Sequence, residues 1–422
     1  MSRKLLVGKA IKFNPSESIT KGSVAKKIPM GALTEYQRKI NEFEYSEYKS
    51  GPKFRNGDTL VAKITPCLEN GKTAFVDILE NDEVAFGSSE FIVLRQTEYT
   101  TPEFIYYFAR SPLFRERAIS CMEGTSGRKR VNENSLKNLD FIFPDLPTQK
   151  SIAKVLSDLD AKIELNNKIN RELESMAKTL YDYWFVQFDF PDANGRPYKS
   201  SGGKMVYNAE LKREIPEGWE VKTLLDIATY TNGLACQKFR PTNEDFLPVI
   251  KIREMRDGIN ENTERVRADI PEKLKVFNGD VLFSWSASLE VIIWTGGKGG
   301  LNQHIFKVTS KKYPRSFYYF QLIWYLQHFK MIAELRKTTM GHITQDHLKQ
   351  SRIVVPPIDI VKNLDKQLKP VQEKQILINR QNQHLTALRD WLLPMLMNGQ
   401  VTVKEAEEKL SMAAEPSVKY GN

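Results

Sequence analysis

The chain has 422 residues, 41% hydrophobic and 27% charged, which is enough for about three cored domains on length alone. Lysine and arginine number 62 against 52 aspartates and glutamates, a net charge of +10 with a pI near 9.2, and this balance points to a polyanionic partner. No apolar run approaches the ~20 residues of a membrane-spanning helix, residues 1–9 lack the apolar core of a secretory signal, and the scattered Cys67, Cys121 and Cys236 support neither a disulfide framework nor a zinc knuckle; a cytoplasmic location is expected.

Residues 1–145 form a first block with short β-branched and aromatic runs at 59–64, 73–79 and 90–94, bounded by Gly, Asn and Pro, and a helix-like segment at 101–117. Asn70-Gly71-Lys72-Thr73 ends like a phosphate-binding loop, but Pro66 stands where that motif needs its first glycine, so a hairpin turn is expected. The densest candidate for touching nucleic acid is Gly124-Thr125-Ser126-Gly127-Arg128-Lys129-Arg130. Arginine pairs with guanine through two hydrogen bonds and lysine grips phosphate, although a solvated basic turn has the same spelling. Arg55, Lys63, Asn70 and Lys72 are further candidates in this block.

Residues 146–188 are expected to form a long helix. Ile152, Leu156, Leu159, Ile163, Asn166, Asn170, Leu173, Ala177, Leu180 and Trp184 recur in alternating steps of four and three, a coiled-coil seam on a helix of roughly 60 Å. An amphipathic helix packed on its own block has the same periodicity. Residues 189–214, with Phe190-Pro191-Asp192-Ala193-Asn194-Gly195-Arg196-Pro197 and Ser200-Ser201-Gly202-Gly203, are expected to be a linker.

Residues 215–356 repeat the first block, with β-rich runs at 281–285 and 305–309 and a helix-like segment at 314–335. Asn278-Gly279-Asp280-Val281-Leu282 answers Asn56-Gly57-Asp58-Thr59-Leu60. Candidate nucleic-acid contacts here are Arg240, Lys251, Arg253, Arg256, Ser284, Trp285, Ser286, Asn302 and Gln303. His342 and Gln345 join them from the segment that answers the first basic loop, where the Arg-Lys-Arg run is missing. Residues 357–399 carry a second seam, Leu364, Leu368, Val371, Gln375, Ile378, Asn382, Leu385, Arg389, Leu392 and Leu396, at one constant offset from the first; Asn382 answers Asn170, a seam residue type that sets register. A tail, 400–422, follows. The period is far too long for a solenoid, so the pattern is a domain duplication and the fold class is α+β, two globular blocks each followed by a long helix.

Catalytic spellings are sparse. Asp192, Glu220 and Lys222 have the composition of a Mg²⁺-dependent nuclease, yet Asp192 lies in the expected linker. Of the five histidines only His342 and His347 are close, at a spacing unsuited to one helical face, so no metal site is expected. The residues therefore favour a non-catalytic DNA reader, with an endonuclease or a coiled-coil scaffold with non-specific DNA binding as alternatives.

Ile215-Pro216-Glu217-Gly218-Trp219-Glu220-Val221-Lys222-Thr223-Leu224 resembles the opening of a target-recognition domain in the specificity subunits of type I restriction-modification systems. Leu146-Pro147-Thr148-Gln149-Lys150-Ser151-Ile152-Ala153 is similar to that family's start of its long helix. The resemblance implies two target-recognition domains, each reading half of a bipartite double-stranded DNA target, and two helices packed antiparallel that set the spacer. It implies as partners two modification subunits, which methylate adenine with S-adenosylmethionine, and restriction subunits using ATP and Mg²⁺, so that this chain itself holds no cofactor. Residues 2–6 lack the Trp-Glu opener, leaving the first strand order open, and Val361 stands where the first helix has Gln149. Tyr181, Tyr183, Phe185 and Trp391 are expected on outer helix faces, either as a docking surface for the modification subunits or packed against the blocks.

Overall fold

The computed structural model describes residues 2–125, 127–242, 244–335 and 342–414. They form two compact units, one of Met1–Glu164 with His384–Asn422 and one of Leu165–Gln383. Two helices of 40 residues, Leu146–Phe185 and Ile358–Met397, contribute a stretch to each unit.

In the first unit an antiparallel sheet runs in the order Ile11–Phe13, Phe91–Gln96, Thr59–Ala62, Thr73–Phe75. A second sheet orders Glu44–Glu47, Val24–Ile28, Ala85–Gly87 and Lys53–Phe54, with one parallel pair between the middle strands. Residues 2–6, left open by the sequence, provide the strand Arg3–Leu6, which pairs antiparallel with Asp140–Phe143. The central strand is launched by Asn56-Gly57-Asp58. Gly57 takes φ +89°, a region costly for any residue with a Cβ, and Asp58 Oδ2 accepts the Arg55 N–H at 2.9 Å. Thr59–Ala62 is then buried throughout, as a strand covered on both faces requires.

The helix Pro102–Arg110 begins with proline, which presets the first turn, and buries every side chain from Phe104 to Arg110. It shares one core with Ile152, Leu156 and Leu159 of the first long helix and Leu385, Leu392 and Leu396 of the second. The seam therefore packs on the block as well as on the other helix. Charge is threaded through this core. Asp160 accepts Tyr107 OH at 2.7 Å and Arg389 at 2.7 Å, while Asp390 accepts Arg389 at 3.0 Å and Arg110 at 2.9 Å. The Asp160 carboxylate pushes the Tyr107 hydroxyl far above its ordinary value, second to burial itself. Gln149 is buried as well, donating to Tyr99 O at 2.7 Å and Pro144 O at 2.8 Å and accepting the Thr101 N–H at 3.0 Å.

The second unit repeats the design. Its antiparallel sheet runs Thr229–Asn232, Ile305–Thr309, Val281–Ser284, Glu290–Ile293, and its mixed sheet Arg265–Arg267, Phe246–Ile250, Gly299–Leu301, Lys275–Val276, again with one parallel pair. Glu220–Thr223 pairs with Arg352–Val355 as Arg3–Leu6 does with its partner. Gly279 takes φ +94° and Asp280 Oδ2 accepts the Phe277 N–H at 2.8 Å, so both copies of the turn are built alike. Val361, where the first helix has Gln149, is buried in an apolar core, so this departure substitutes one internal anchor for another.

One expectation needs correction, and of two alternatives left open for the helix aromatics, packing against the block holds for Tyr181 and Phe185. The first long helix ends at Phe185, short of the expected 188, and the expected linker is folded: Phe190 is buried like Phe188 just before it, their rings 5.1 and 5.4 Å from that of Trp219, and Met205–Asn208 forms a hairpin with Arg213–Pro216. Turn residues mark the bends here, but the aromatic residues between them supply the burial that a linker lacks. Tyr181 and Phe185 are buried too, Tyr181 stacking on Phe320 at 5.0 Å and Phe185 edge-on to Phe317 at 5.7 Å, because their side of the helix faces the block. Tyr183 and Trp391 stay exposed, at 37% and 40%.

Midway along the seam the apolar residues give way to amides, all within the second unit. Asn170 donates to Asn379 at 2.6 Å and Asn382 to Asn167 at 2.7 Å, while Asn166 donates to Gln381 and Asn382. Asn170 and Asn382 do not pair with each other. Since Asn382 answers Asn170 and Asn379 answers Asn167 in the duplicated sequence, the two contacts are reciprocal, which defines a local two-fold axis and an antiparallel pairing. Leu173, Leu180, Leu364 and Leu368 flank this centre, buried or half-buried.

Arg389→Ala leaves Asp160 buried without its cation, and the expected cost is about 3 kcal/mol or more. Urea unfolding of the variant beside Leu377→Ala, an exposed control expected within about 0.5 kcal/mol of wild type, checks it.

Candidate nucleic-acid interface

In the first unit the basic loop is a hairpin, Met122–Glu123 against Arg130–Val131. Gly124 and Gly127 take φ +117° and +82°, the left-handed conformations that let the chain reverse. The hairpin is laced to the end of the central strand: Thr65 N–H donates to Lys129 O at 3.0 Å and Val131 N–H to Lys63 O at 2.9 Å. Lys63, Arg128, Lys129 and Arg130 thus come from two distant stretches to one surface. Ser126 lies outside the described residues.

The cations there are not equivalent. Arg130 forks onto Glu90, Nε to Oε2 at 2.9 Å and a terminal nitrogen to Oε1 at 2.8 Å, and this pairing holds the Glu90 carboxyl below its ordinary range. Lys63 Nζ lies 3.7 Å from Glu133. Lys72, at the other base of the 63–72 connection, donates to Met30 O at 3.3 Å, and Arg55 lies 3.8 Å from Glu17. Arg128 and Lys129 are exposed and form no ion pair among the described residues. Gly71 takes φ +72° and rests beneath Tyr36, whose ring a Cβ would strike at 2.5 Å; Asn70 is exposed on this connection, which is a tight turn and not a phosphate cradle.

In the second unit the corresponding surface is aromatic. Trp285 is half-buried, its centroid 5.5 Å from both His304 and His342, and its Nε1 donates to Asn232 at 3.1 Å. Gln303 stands beside His304, their side-chain nitrogens 3.2 Å apart, and Gln345 is exposed at the start of the helix Gln345–Gln350. Asn302, Ser284 and Ser286 are buried, so their placement is structural: Asn302 Oδ1 accepts the His304 N–H and Ser284 donates to Ser288 O. Arg253 forks onto the buried Glu254, Arg256 pairs with Glu290 at 2.9 Å and Lys251 with Glu264 at 2.5 Å, so much of this block's basic charge is opposed locally; Arg240 is exposed. Glu90, His304 and Asn232 escaped sequence reasoning. An acid among basic candidates, or a histidine far from any partner in sequence, carries no signal until the strands are paired.

The remaining catalytic spelling is dispersed. Asp192 accepts the backbone N–H groups of Asn194 and Arg196 at 2.8 and 2.9 Å, and Glu220 is paired with Lys222 on its own strand. Among the described residues no group of three or more His, Cys, Asp or Glu side chains is placed to hold a metal ion, and no helix is long and apolar enough to cross a membrane.

Comparison with known proteins adds three findings. The family described as the type I restriction modification DNA specificity domain matches twice, over residues 11–175 and 216–387. The chain is 26% identical to the MjaIX type I restriction enzyme specificity subunit of Methanocaldococcus jannaschii, over 72% of this chain and 70% of that one, and 25% identical to the HindI specificity subunit of Haemophilus influenzae, over 82% and 87%. The crystal structure of a type I restriction-modification S subunit from M. genitalium shares the fold, with a TM-score of 0.56 at 14% identity over 94% of this chain and 96% of that one.

Replacing both Arg128 and Lys129 by Ala is expected to weaken DNA binding and to flatten the slope of log affinity against log salt by about 0.9 for each phosphate that is no longer neutralised. Arg253→Ala, whose charge Glu254 opposes, is expected to change the slope less. Fluorescence anisotropy over a salt series measures both.

Proposed function

The chain belongs to the type I restriction-modification DNA specificity family, and from that premise we infer that it is the non-catalytic subunit that gives a type I restriction-modification complex its DNA sequence specificity. The observation that carries this reading is the duplication: two blocks with one strand order, each presenting a different set of polar and aromatic side chains at the same place in its fold. Each block reads one half of a bipartite target, and the paired helices set the number of base pairs between the halves. The subunit works on cellular DNA, in the cytoplasm. S-adenosylmethionine, ATP and Mg²⁺ belong to its partners, the modification and restriction subunits.

Two modification subunits per chain is the stoichiometry that the local two-fold axis supports. On either side of the asparagine pairs, Leu165 and Leu377 occupy equivalent positions and are 51% and 55% exposed, each followed three residues later by an exposed cation, Lys168 or Arg380. The sequence also places a lysine three residues before each leucine, Lys162 and Lys374. Buried seam positions repeat because they must pack; exposed ones have no such reason, and a repeated exposed apolar residue flanked by cations suits a partner that binds twice in the same way. Tyr183 and Trp391 remain as outer aromatic contacts; the Lys409 ammonium covers the Trp391 ring at 4.6 Å.

Two measurements test the reading. Plasmid DNA from cells co-expressing this chain with its modification subunit is expected to carry methylated adenines in one two-part motif of fixed gap, and exchange of residues 1–145 for another such block is expected to change one half alone; methylation at unrelated, single-part sites overturns the reading. In native mass spectrometry, Leu165→Glu and Leu377→Glu are each expected to reduce the bound modification subunits from two to one, and retention of both copies in both variants overturns the docking assignment.

A further inference from the structure

Three positions are tied together by the same backbone hydrogen bonds in both units. In the first, Lys63 N–H donates to Glu90 O at 2.9 Å and Lys63 O accepts the Val131 N–H at 2.9 Å. In the second, Trp285 N–H donates to His304 O at 3.2 Å and Trp285 O accepts the Ile343 N–H at 2.9 Å. Lys63 and Trp285 each follow the buried central strand, Thr59–Ala62 or Val281–Ser284. Glu90 and His304 each precede the strand that pairs with it, and Arg130 and His342 stand just before the residue whose N–H closes the set. The frame is one frame, used twice.

The side chains hung on it differ in kind. The first set is charged, with Arg130 forked onto Glu90 and Lys63 near Glu133. The second is aromatic, with His304 and His342 each 5.5 Å from a half-buried Trp285, centroid to centroid. Core packing does not account for this change, since all six side chains are half-buried or exposed and a packed site tolerates only substitutions of similar volume and polarity. A frame that keeps its backbone geometry while its outward side chains change from ionic to aromatic is the arrangement required of positions that touch different bases.

We propose that Lys63, Glu90 and Arg130 in the first block, and Trp285, His304 and His342 in the second, are the equivalent base-contacting centres of the two target-recognition domains. The proposal rests on the specificity-subunit reading and assigns it to named side chains. The chemistry of the first set suits a guanine–cytosine pair: Arg130 offers two donors to guanine O6 and N7, and Glu90 accepts from the cytosine amino group. Lys63 is placed for the neighbouring phosphate. The second set offers an apolar face and no fixed charge, which suits an adenine–thymine pair contacted at the thymine methyl.

The test is the methylation map of cells co-expressing the modification subunit with wild-type chain, with Arg130→Ala, or with the triple exchange Lys63→Trp, Glu90→His, Arg130→His. Arg130 is an exposed hairpin residue, so its single variant is expected to fold even where the triple variant does not. In Arg130→Ala, discrimination at one guanine–cytosine position of one half-site is expected to fall roughly tenfold or more, with the gap and the other half unchanged. The triple exchange is expected to replace that position's preference with another base pair. A wild-type two-part motif that Arg130→Ala and a folded triple variant both reproduce at unchanged discrimination overturns the assignment of these positions alone. The absence of any two-part motif in wild type overturns the specificity reading, and the assignment with it.

Discussion

Amide side chains facing one another across a helix seam hold it through directional hydrogen bonds, and at the middle of this seam the half-buried Asn170, Asn379 and Asn382 and the exposed Asn167 make two reciprocal contacts, Asn170 with Asn379 and Asn382 with Asn167. Shifting one helix against the other by a turn would break both contacts, at a cost comparable with that of each hydrogen bond lost. The amides therefore fix the register, at some expense in stability relative to an apolar seam. Everything that repeats along the two helices follows from that register, including the equivalence of Leu165 with Leu377.

Around this symmetric centre the packing is allowed to differ. The first unit runs a charged network through its core, Arg389 with Asp160 and Asp390, with burial opposed by two carboxylates that keep the guanidinium firmly protonated. The residues that answer Asp160 and Arg389 in the duplicated sequence are Gln372 and Ala177, both buried, and Gln372 accepts from Arg315 at 3.1 Å. The same architectural position is filled once by a carboxylate paired with an arginine and once by an amide that accepts from an arginine.

Surface charge follows a similar division. The net charge of +10 is a whole-chain property, but many of the cations nearest the candidate surfaces are opposed by a carboxylate within the same block: Arg130 by Glu90, Arg253 by Glu254, Arg256 by Glu290. The Arg130 and Arg256 pairs, on exposed arginines, contribute little to stability, whereas Arg253 neutralises a buried carboxylate. They hold side chains in defined orientations and reduce indiscriminate attraction to phosphate, which matters in a protein whose task is to distinguish base sequences.

The sequence by itself determined the helices, because a heptad seam is local: each position is set by its neighbours three and four residues away, and Ile152, Leu156, Leu159, Leu364, Leu368, Leu385 and Leu392 are all buried. It also determined the duplication and the α+β class, since turn residues and β-branched runs recur in the same order in both copies and the two helices keep one constant offset. Burial of Tyr181, Phe185, Phe188 and Phe190 was decided by tertiary structure alone; periodicity tells which side of a helix a residue shares, but not which side meets a block. Of the surface centres, the sequence offered Lys63, Arg130, Trp285 and His342 as separate candidates, but neither Glu90 nor His304 nor the grouping of the six. Lys63, Glu90 and Arg130 come from three stretches far apart in the chain, joined by backbone hydrogen bonds between strands, and the same is true of Trp285, His304 and His342. Backbone amides are common to all residues, so no side-chain pattern announces which of them will pair.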